Sequence, residues 1–255
     1  MNSTAISLCK LCGRDAAIDS HVISRFLWKR SGIAHRSDGK GFDFIYEDDP
    51  QWTEFNKQSG FQEPILCKAC DNNLRSSIED YMARRIYDKD GILRSPNTGH
   101  RIVEGLSYEK VKLFSMFNLF MMGVSSHPYY KAVSLGDKHE DKLRRMLLAK
   151  DPGEPWEYST ICFRLQMNGK NLEGMSLAPQ QVRWPNGQIM YRFVCAGLCW
   201  MITCSGHPHE WLKAPVFIGL DGKMVVFDGN PVDMPFIRER MDNWLATNGH
   251  PPLKS

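Results

Sequence analysis

The chain has no apolar run long enough to cross a bilayer. Its longest such stretches, residues 111–124 (interrupted by Lys112 and Asn118) and 193–204, fall short of the ~20 residues a spanning helix needs. The start, MNSTAISLCK, lacks the basic-then-apolar pattern of a secretory leader. An excess of one charge is missing too. With 32 Lys and Arg against 29 Asp and Glu, net +3, the chain is no histone-like polycation. Any hold on nucleic acid must then come from local clusters of Lys and Arg. There is no nucleotide-binding glycine loop, Gly-x-Ser-x-Gly elbow or kinase signature, which takes the common energy-using and hydrolase classes out of the first rank. Internal repeats and low-complexity segments are absent as well. What remains is an ordinary composition, 42% hydrophobic and 24% charged over 255 residues, enough for one large domain or two small ones.

The eight cysteines, at 9, 12, 67, 70, 162, 195, 199 and 204, are more informative. Without a leader the expected location is a reducing cytoplasm, where disulfides are disfavoured and Cys-x-x-Cys units hold metal. Cys9-Lys-Leu-Cys12 and Cys67-Lys-Ala-Cys70 have the i, i+3 spacing that lets two thiolates of one turn reach one tetrahedral ion. Their neighbours Lys10, Gly13, Lys68 and Asn72 are polar, unlike those of a buried core cysteine. Four thiolates leave no open ligand position, so Zn²⁺ here is expected to be structural. Cys195, Cys199 and Cys204 with His207 and His209 do not make a second site. Along one strand covering 193–204, Cys204 points away from the other two, and core packing is expected for all three, as for Trp200 and Trp211.

Changes of pattern divide the chain into residues 1–90, which carry both cysteine pairs, a helical connector over 91–153, and a β-rich region over 154–255. Ile78, Tyr81, Met82 and Ile86 have helical spacing, with Ser76 and Glu79 as a capping box. Residues 107–124 are apolar nearly all round, which predicts a buried helix joining the two halves. Another helix is expected from the capping box Asp137 to Glu140 up to the DPGEP at 151–155. Beyond it, strands are expected over 159–168 and 176–184, then a turn at 185–187 and a long run over 188–206. A hairpin of 214–220 with 223–229 about Asp221-Gly222 follows. A terminal amphipathic helix ends at Gly249. The fold class is α+β: a zinc-stabilised N-terminal module, central helices, and an antiparallel β-rich region closed by a helix.

CKLCGRDAAIDSHVISRFLWK followed by ILCKACDNNLRSSIEDY resembles the HNH endonuclease family. That family has a ββα-metal, treble-clef zinc fold in which Cys-x-x-Cys, an Asp-His or His-His pair and Leu-Cys-x-x-Cys-His occur in this order. The likeness is closer to a bacterial branch with Ser-His in place of Asp-His. The resemblance implies that His21 is the general base on the attacking water. It also implies that Asp71, in place of the usual histidine, offers a hard oxygen to a catalytic Mg²⁺ or Mn²⁺. Ser20 replaces the usual ligand before the histidine, with Asp19 one step back. Glu79 either joins the carboxylates or caps its helix. Asn56 lies in the interval of the family's orienting asparagine. DNA as the partner and a role in bacterial defence are likewise what the resemblance implies.

Phosphodiester cleavage needs a base near neutral pKa and positive charge for the phosphate, and His21 and the stretch beside it supply both types. Arg25, Lys29 and Arg30 interleave with Phe26 and Trp28, and residues 1–40 hold seven Lys or Arg against three Asp. Residues 41–66 run the other way, six acids against Lys57, and would repel a phosphate backbone. A solvated amphipathic face explains the basic stretch equally well. Two functions therefore stand open: a metal-dependent HNH-like endonuclease, and a non-catalytic zinc-stabilised module that recognises nucleic acid or a protein. The β-rich region offers a further surface for a protein partner.

Overall fold

The computed structural model describes residues 7–29, 60–88, 91–93, 99–173, 175–184, 187–204, 207, 208, 214–247 and 251. Two sheets organise them. A small antiparallel hairpin pairs β1 (Ile18–His21) with β2 (Gln62–Leu66), and α1 (Arg25–Lys29) follows β1. After β2 the chain enters α2 (Lys68–Cys70), passes through a π-helical turn at Asp71–Arg75 and continues as α3 (Ser76–Tyr87). The seven-stranded sheet comprises β3 (His100–Val103), β4 (Thr160–Met167), β5 (Lys170–Asn171), β6 (Leu177–Arg183), β7 (Ile189–Cys195), β8 (Leu198–Cys204) and β9 (Met224–Gly229). Its order is β3-β9-β4-β8-β7-β6, with β5 pairing β4. Helices α4 (Tyr108–Val124) and α5 (Gly136–Ala149) lie between β3 and β4 in sequence, and α6 (Pro235–Thr247) is the last element among the described residues.

α4 is the centre of the core. Ser107 caps it, its side chain accepting from Lys110 N, and every residue from Val111 to Met122 is buried. A helix buried all round must satisfy its own polar groups, and this one does. Ser115 Oγ donates to the Val111 carbonyl, and Asn118 Nδ2 donates to that of Phe114. Lys112 Nζ reaches the carbonyls of Glu154 and Glu157, tying the helix to the segment that enters β4. Burial lowers the Lys112 pKa to about 7, so the ammonium depends on those carbonyls and on nearby Glu157. Phe114 packs on Trp200 of β8 on one side (centroids 5.5 Å apart) and on Phe26 of α1 on the other (5.8 Å). The expected buried helix is therefore present, and α1 and β8 both pack on it. Trp200, 1% exposed, contributes on the order of 3 kcal/mol by burial.

Alternation along the strands assigns each sheet face. Cys162, Phe193, Cys195, Trp200 and Ile202 join the core under α4. Leu165, Leu177, Val194 and Cys199 meet Phe236 and Ile237 of α6 on the opposite face. The Arg192 guanidinium stacks 3.7 Å from the Phe236 ring centroid, and Arg240 Nη1 donates to the Ala178 carbonyl, which fixes α6 in place.

Several expectations are corrected. The run 193–204 is two strands, not one: Ala196 (φ 55°) and Gly197 (φ 72°) form a tight turn between β7 and β8. A Cβ at Gly197 would lie 2.6 Å from the Leu172 backbone, so glycine is required there. As a result Cys195 and Cys204 share the α4 side and Cys199 lies on the other, although core packing for all three stands. Residues 214–220 form turns rather than a strand, so β9 has no hairpin partner there. It pairs antiparallel with β3 and parallel with β4, and the sheet is mixed rather than antiparallel. The Asp221-Gly222 turn itself is present, with Lys223 N donating to Asp221 Oδ1. Neither expected capping box forms. Ser76 lies within a continuous helix and donates to the Asn72 carbonyl, and α5 starts at Gly136 without a side-chain cap. Gly249 and Trp211 lie outside the described residues, as do residues 185 and 186 of the expected turn.

Candidate metal centre and the His21 cluster

The first cysteine pair sits in a clasped turn. Leu8 bridges Ala16, Cys9 N donates to the Asp15 carbonyl and Gly13 N to that of Cys9, with Gly13 at φ +70°. Lys10 N donates to Ile65 O, binding this turn to β2. The second pair begins a helix. Cys67 has the extended backbone of an N-cap (φ −76°, ψ 160°) and Cys70 lies in the first turn, with Asp71 N donating to the Cys67 carbonyl. A helix N-terminus favours thiolates through its unpaired N–H groups and dipole.

The two pairs, 55 positions apart between Cys12 and Cys67, converge: the four sulfurs lie within 4.8 Å of one another. Thiolates on a tetrahedral Zn²⁺ at ~2.3 Å stand about 3.8 Å apart. Cys12 Sγ and Cys67 Sγ are 3.8 Å apart, so the donors fit that ion. Cys9 and Cys67 are 1% and 2% exposed, leaving water little access. Thiol acidities diverge within the cluster. Backbone N–H groups around Asp15 and Arg14 lower Cys12 to about 6, while burial raises Cys67 and Cys70. A cation would favour ionisation of all four.

His21 ends β1, 8% exposed, and pairs across the hairpin with Gln62, whose Nε2 lies 3.2 Å from Nδ1 and 3.0 Å from Nε2 of the ring. Ser20 points inward and donates to the Ile18 carbonyl, while Asp19 faces solvent. The π-helical turn and α3 bring Asp71, Arg75 and Glu79 together. Arg75 Nη1 lies 2.9 Å from Asp71 Oδ1, and its Nε lies 2.9 Å from Glu79 Oε1. Nη2 donates to the His21 carbonyl. Burial raises the Glu79 pKa, opposed by Arg75 and by the Ser24 hydroxyl. Ser24 N donates to Asn118 Oδ1, which joins this cluster to α4. On the opposite side of β2, Glu63 accepts from Ser125 Oγ and from Ser126 N and Oγ just beyond α4.

The expected site residues thus divide. Cys9, Cys12, Cys67 and Cys70 come together, and His21, Asp71 and Glu79 are linked through Arg75. Among the described residues only the four cysteines form a metal-type donor group of three or more. Asp71 and Glu79 as arranged do not fit a divalent ion, because the Arg75 guanidinium holds both. Glu79 thereby has a third role, neither cap nor metal ligand. Arg25 is exposed on α1, whereas Phe26 packs on Tyr87 (6.3 Å) and Phe114 and so serves the core. Arg30, the side chains of Trp28 and Lys29, Asn56 and residues 41–59 lie outside the described residues. A cleft of about 650 Å³ between Ile102, Trp156, Phe217 and Leu220 holds none of the expected site residues.

Arg75 was not singled out in the sequence, yet it stands four after Asp71 and four before Glu79. Acid-base-acid at i, i+4, i+8 is a readable helical salt-bridge ladder. Gln62 and Glu63 carry no comparable signal.

No protein-family model matches the chain, and no curated protein or solved structure is significantly similar to it. The structure shows a mixed α+β protein with a β-rich C-terminal sheet and an N-terminal four-cysteine cluster of metal-binding dimensions. No described helix is long and apolar enough to cross a membrane.

Proposed function

We propose that the chain is an HNH-like endonuclease that hydrolyses nucleic-acid phosphodiester bonds, with His21 as general base and a structural Zn²⁺ on the four cysteines. One observation carries this reading: the hairpin between the cysteine pairs ends in His21, tied by Arg75 to the helix that the second pair begins. The imidazole accepts a proton from water as the water oxygen attacks phosphorus. The bond from phosphorus to the leaving sugar oxygen breaks, and solvent protonates that oxygen, leaving a phosphomonoester and a hydroxyl. Exposed Arg25, on the helix that follows His21 in sequence, suits a phosphate contact, and DNA is the substrate the reading favours. A catalytic Mg²⁺ or Mn²⁺ belongs to the family pattern. With Asp71 and Glu79 engaged by Arg75, no step here runs through such an ion.

A second reading, a non-catalytic zinc-stabilised recognition module, is favoured by the same ion pairs and by the low exposure of His21. Cleavage of plasmid and single-stranded DNA by wild type and His21→Ala, at equal zinc content and with and without Mg²⁺ or Mn²⁺, separates the two. Loss of the general base is expected to slow cleavage by about 10²-fold or more. Equal rates, or binding without cleavage by either protein, would leave the recognition module standing instead.

A further inference from the structure

We infer that Arg75 is the resident cation of the His21 cluster: its guanidinium fills the place between Asp71 and Glu79 that a divalent ion would otherwise take. The chain therefore holds no Mg²⁺ or Mn²⁺ there, and gains a site for one when the guanidinium is removed. This deepens the endonuclease reading and rests on it only for what the cation does in hydrolysis. Where the cation lies is independent of that reading.

Arg75 is 8% exposed, and each of its nitrogens faces an oxygen: Nη1 the Asp71 carboxylate, Nε that of Glu79, and Nη2 the His21 carbonyl. The Phe117 ring lies 5.2 Å from its carbon centre and shields it from the α4 side. The planar guanidinium presents its N–H groups as a fork that matches carboxylate oxygens. Two carboxylates and a backbone carbonyl are also the hard oxygen donors that Mg²⁺ and Mn²⁺ select. With Arg75 in place, an incoming divalent ion would meet a fixed positive charge at contact distance with little water to screen it. The Glu79 contact is a close ion pair, although Nε and Oε1 are not aligned as a hydrogen bond. Arg75 does not reach the reacting atoms in the step above. It is a positioning residue, holding the His21 backbone against α3.

The test is a Mn²⁺ titration of the zinc-loaded full chain, read by the paramagnetic resonance signal of free Mn²⁺. Wild type is expected to bind none at micromolar Mn²⁺. Arg75→Gln should bind one ion per chain at least about tenfold more tightly, and Arg75→Gln with Asp71→Asn should lose it. Arg75→Lys, which keeps a positive charge, should behave as wild type. Binding by wild type that disappears in Asp71→Asn overturns the inference, as does a zinc-loaded, folded Arg75→Gln with no gain. Should Arg75→Gln not fold, the wild-type, Asp71→Asn and Arg75→Lys titrations decide: binding in wild type or Arg75→Lys that depends on Asp71 overturns it, and no such binding supports it. The titration reads no cleavage, so an inactive protein would defeat the endonuclease reading and leave this one to its own result.

Discussion

Cys67→Ser is expected to abolish metal binding by the four-cysteine cluster and the order of residues 7–29 and 60–75 while the seven-stranded sheet remains folded. The N-terminal module joins two segments whose cysteines stand 55 positions apart. Its sheet is a two-stranded hairpin of four and five residues, and such a hairpin is marginal alone. Structural zinc contributes roughly 10–16 kcal/mol in small zinc peptides at neutral pH, far more than one short hairpin supplies. Amide hydrogen exchange checks this: protection should be lost across Ile18–His21 and Gln62–Leu66 and retained in Leu198–Cys204. Cys204→Ser, on the core side of the sheet, should leave zinc content unchanged. A Cys67→Ser protein that keeps its metal or its hairpin protection would show that the cluster does not hold the module together.

Asp228→Ala should be the most damaging single change within the sheet. Arg164 is 1% exposed and has its charge matched by Asp228, with Nε 2.6 Å from Oδ1 and Nη2 2.8 Å from Oδ2. The two residues face each other in the parallel β4–β9 register, and Gly99 N also donates to Oδ2. Arg101 lies close by, its pKa lowered by burial and by Arg164. Removing the carboxylate takes the Asp228 charge away from two neighbouring guanidinium groups. Breaking a buried pair in this way costs on the order of 3–5 kcal/mol. For a chain of this size that is a fall in melting temperature of roughly 10 °C. Arg164→Met combined with Asp228→Ala should recover part of the loss, since the cost lies in the desolvated charge of Arg164 rather than in the missing contact. Urea unfolding of both variants measures it, and a cost below about 1 kcal/mol for Asp228→Ala alone would contradict the assignment.

The features that were legible in the sequence have local causes. Two Cys-x-x-Cys units give their geometry through spacing alone, and α4 announces itself as a long apolar helix behind a serine cap. β4, β6 and α6 likewise lie where alternation and helical spacing place them. What was hidden depends on tertiary context. The turn at Ala196 and Gly197 lies inside an apolar run because both flanking strands are buried, so no polar residue marks it. Residues 214–220 have strand-like composition, but β9 takes its partners from β3 and β4, a choice made by packing across the sheet. Ser76 and Glu79 fit a capping pattern, yet the π-helical turn carries the helix past them, and Glu79 turns to Arg75. In the His21 cluster the sequence marked His21 and the carboxylates and passed over the arginine that joins them.

Zinc-edge X-ray absorption on the purified full chain tests the central claim, a four-thiolate metal centre framing the His21 hairpin. The expected spectrum shows one zinc per chain with four sulfur neighbours at about 2.3 Å. A folded protein without zinc, or with nitrogen or oxygen neighbours replacing two of the sulfurs, would contradict it.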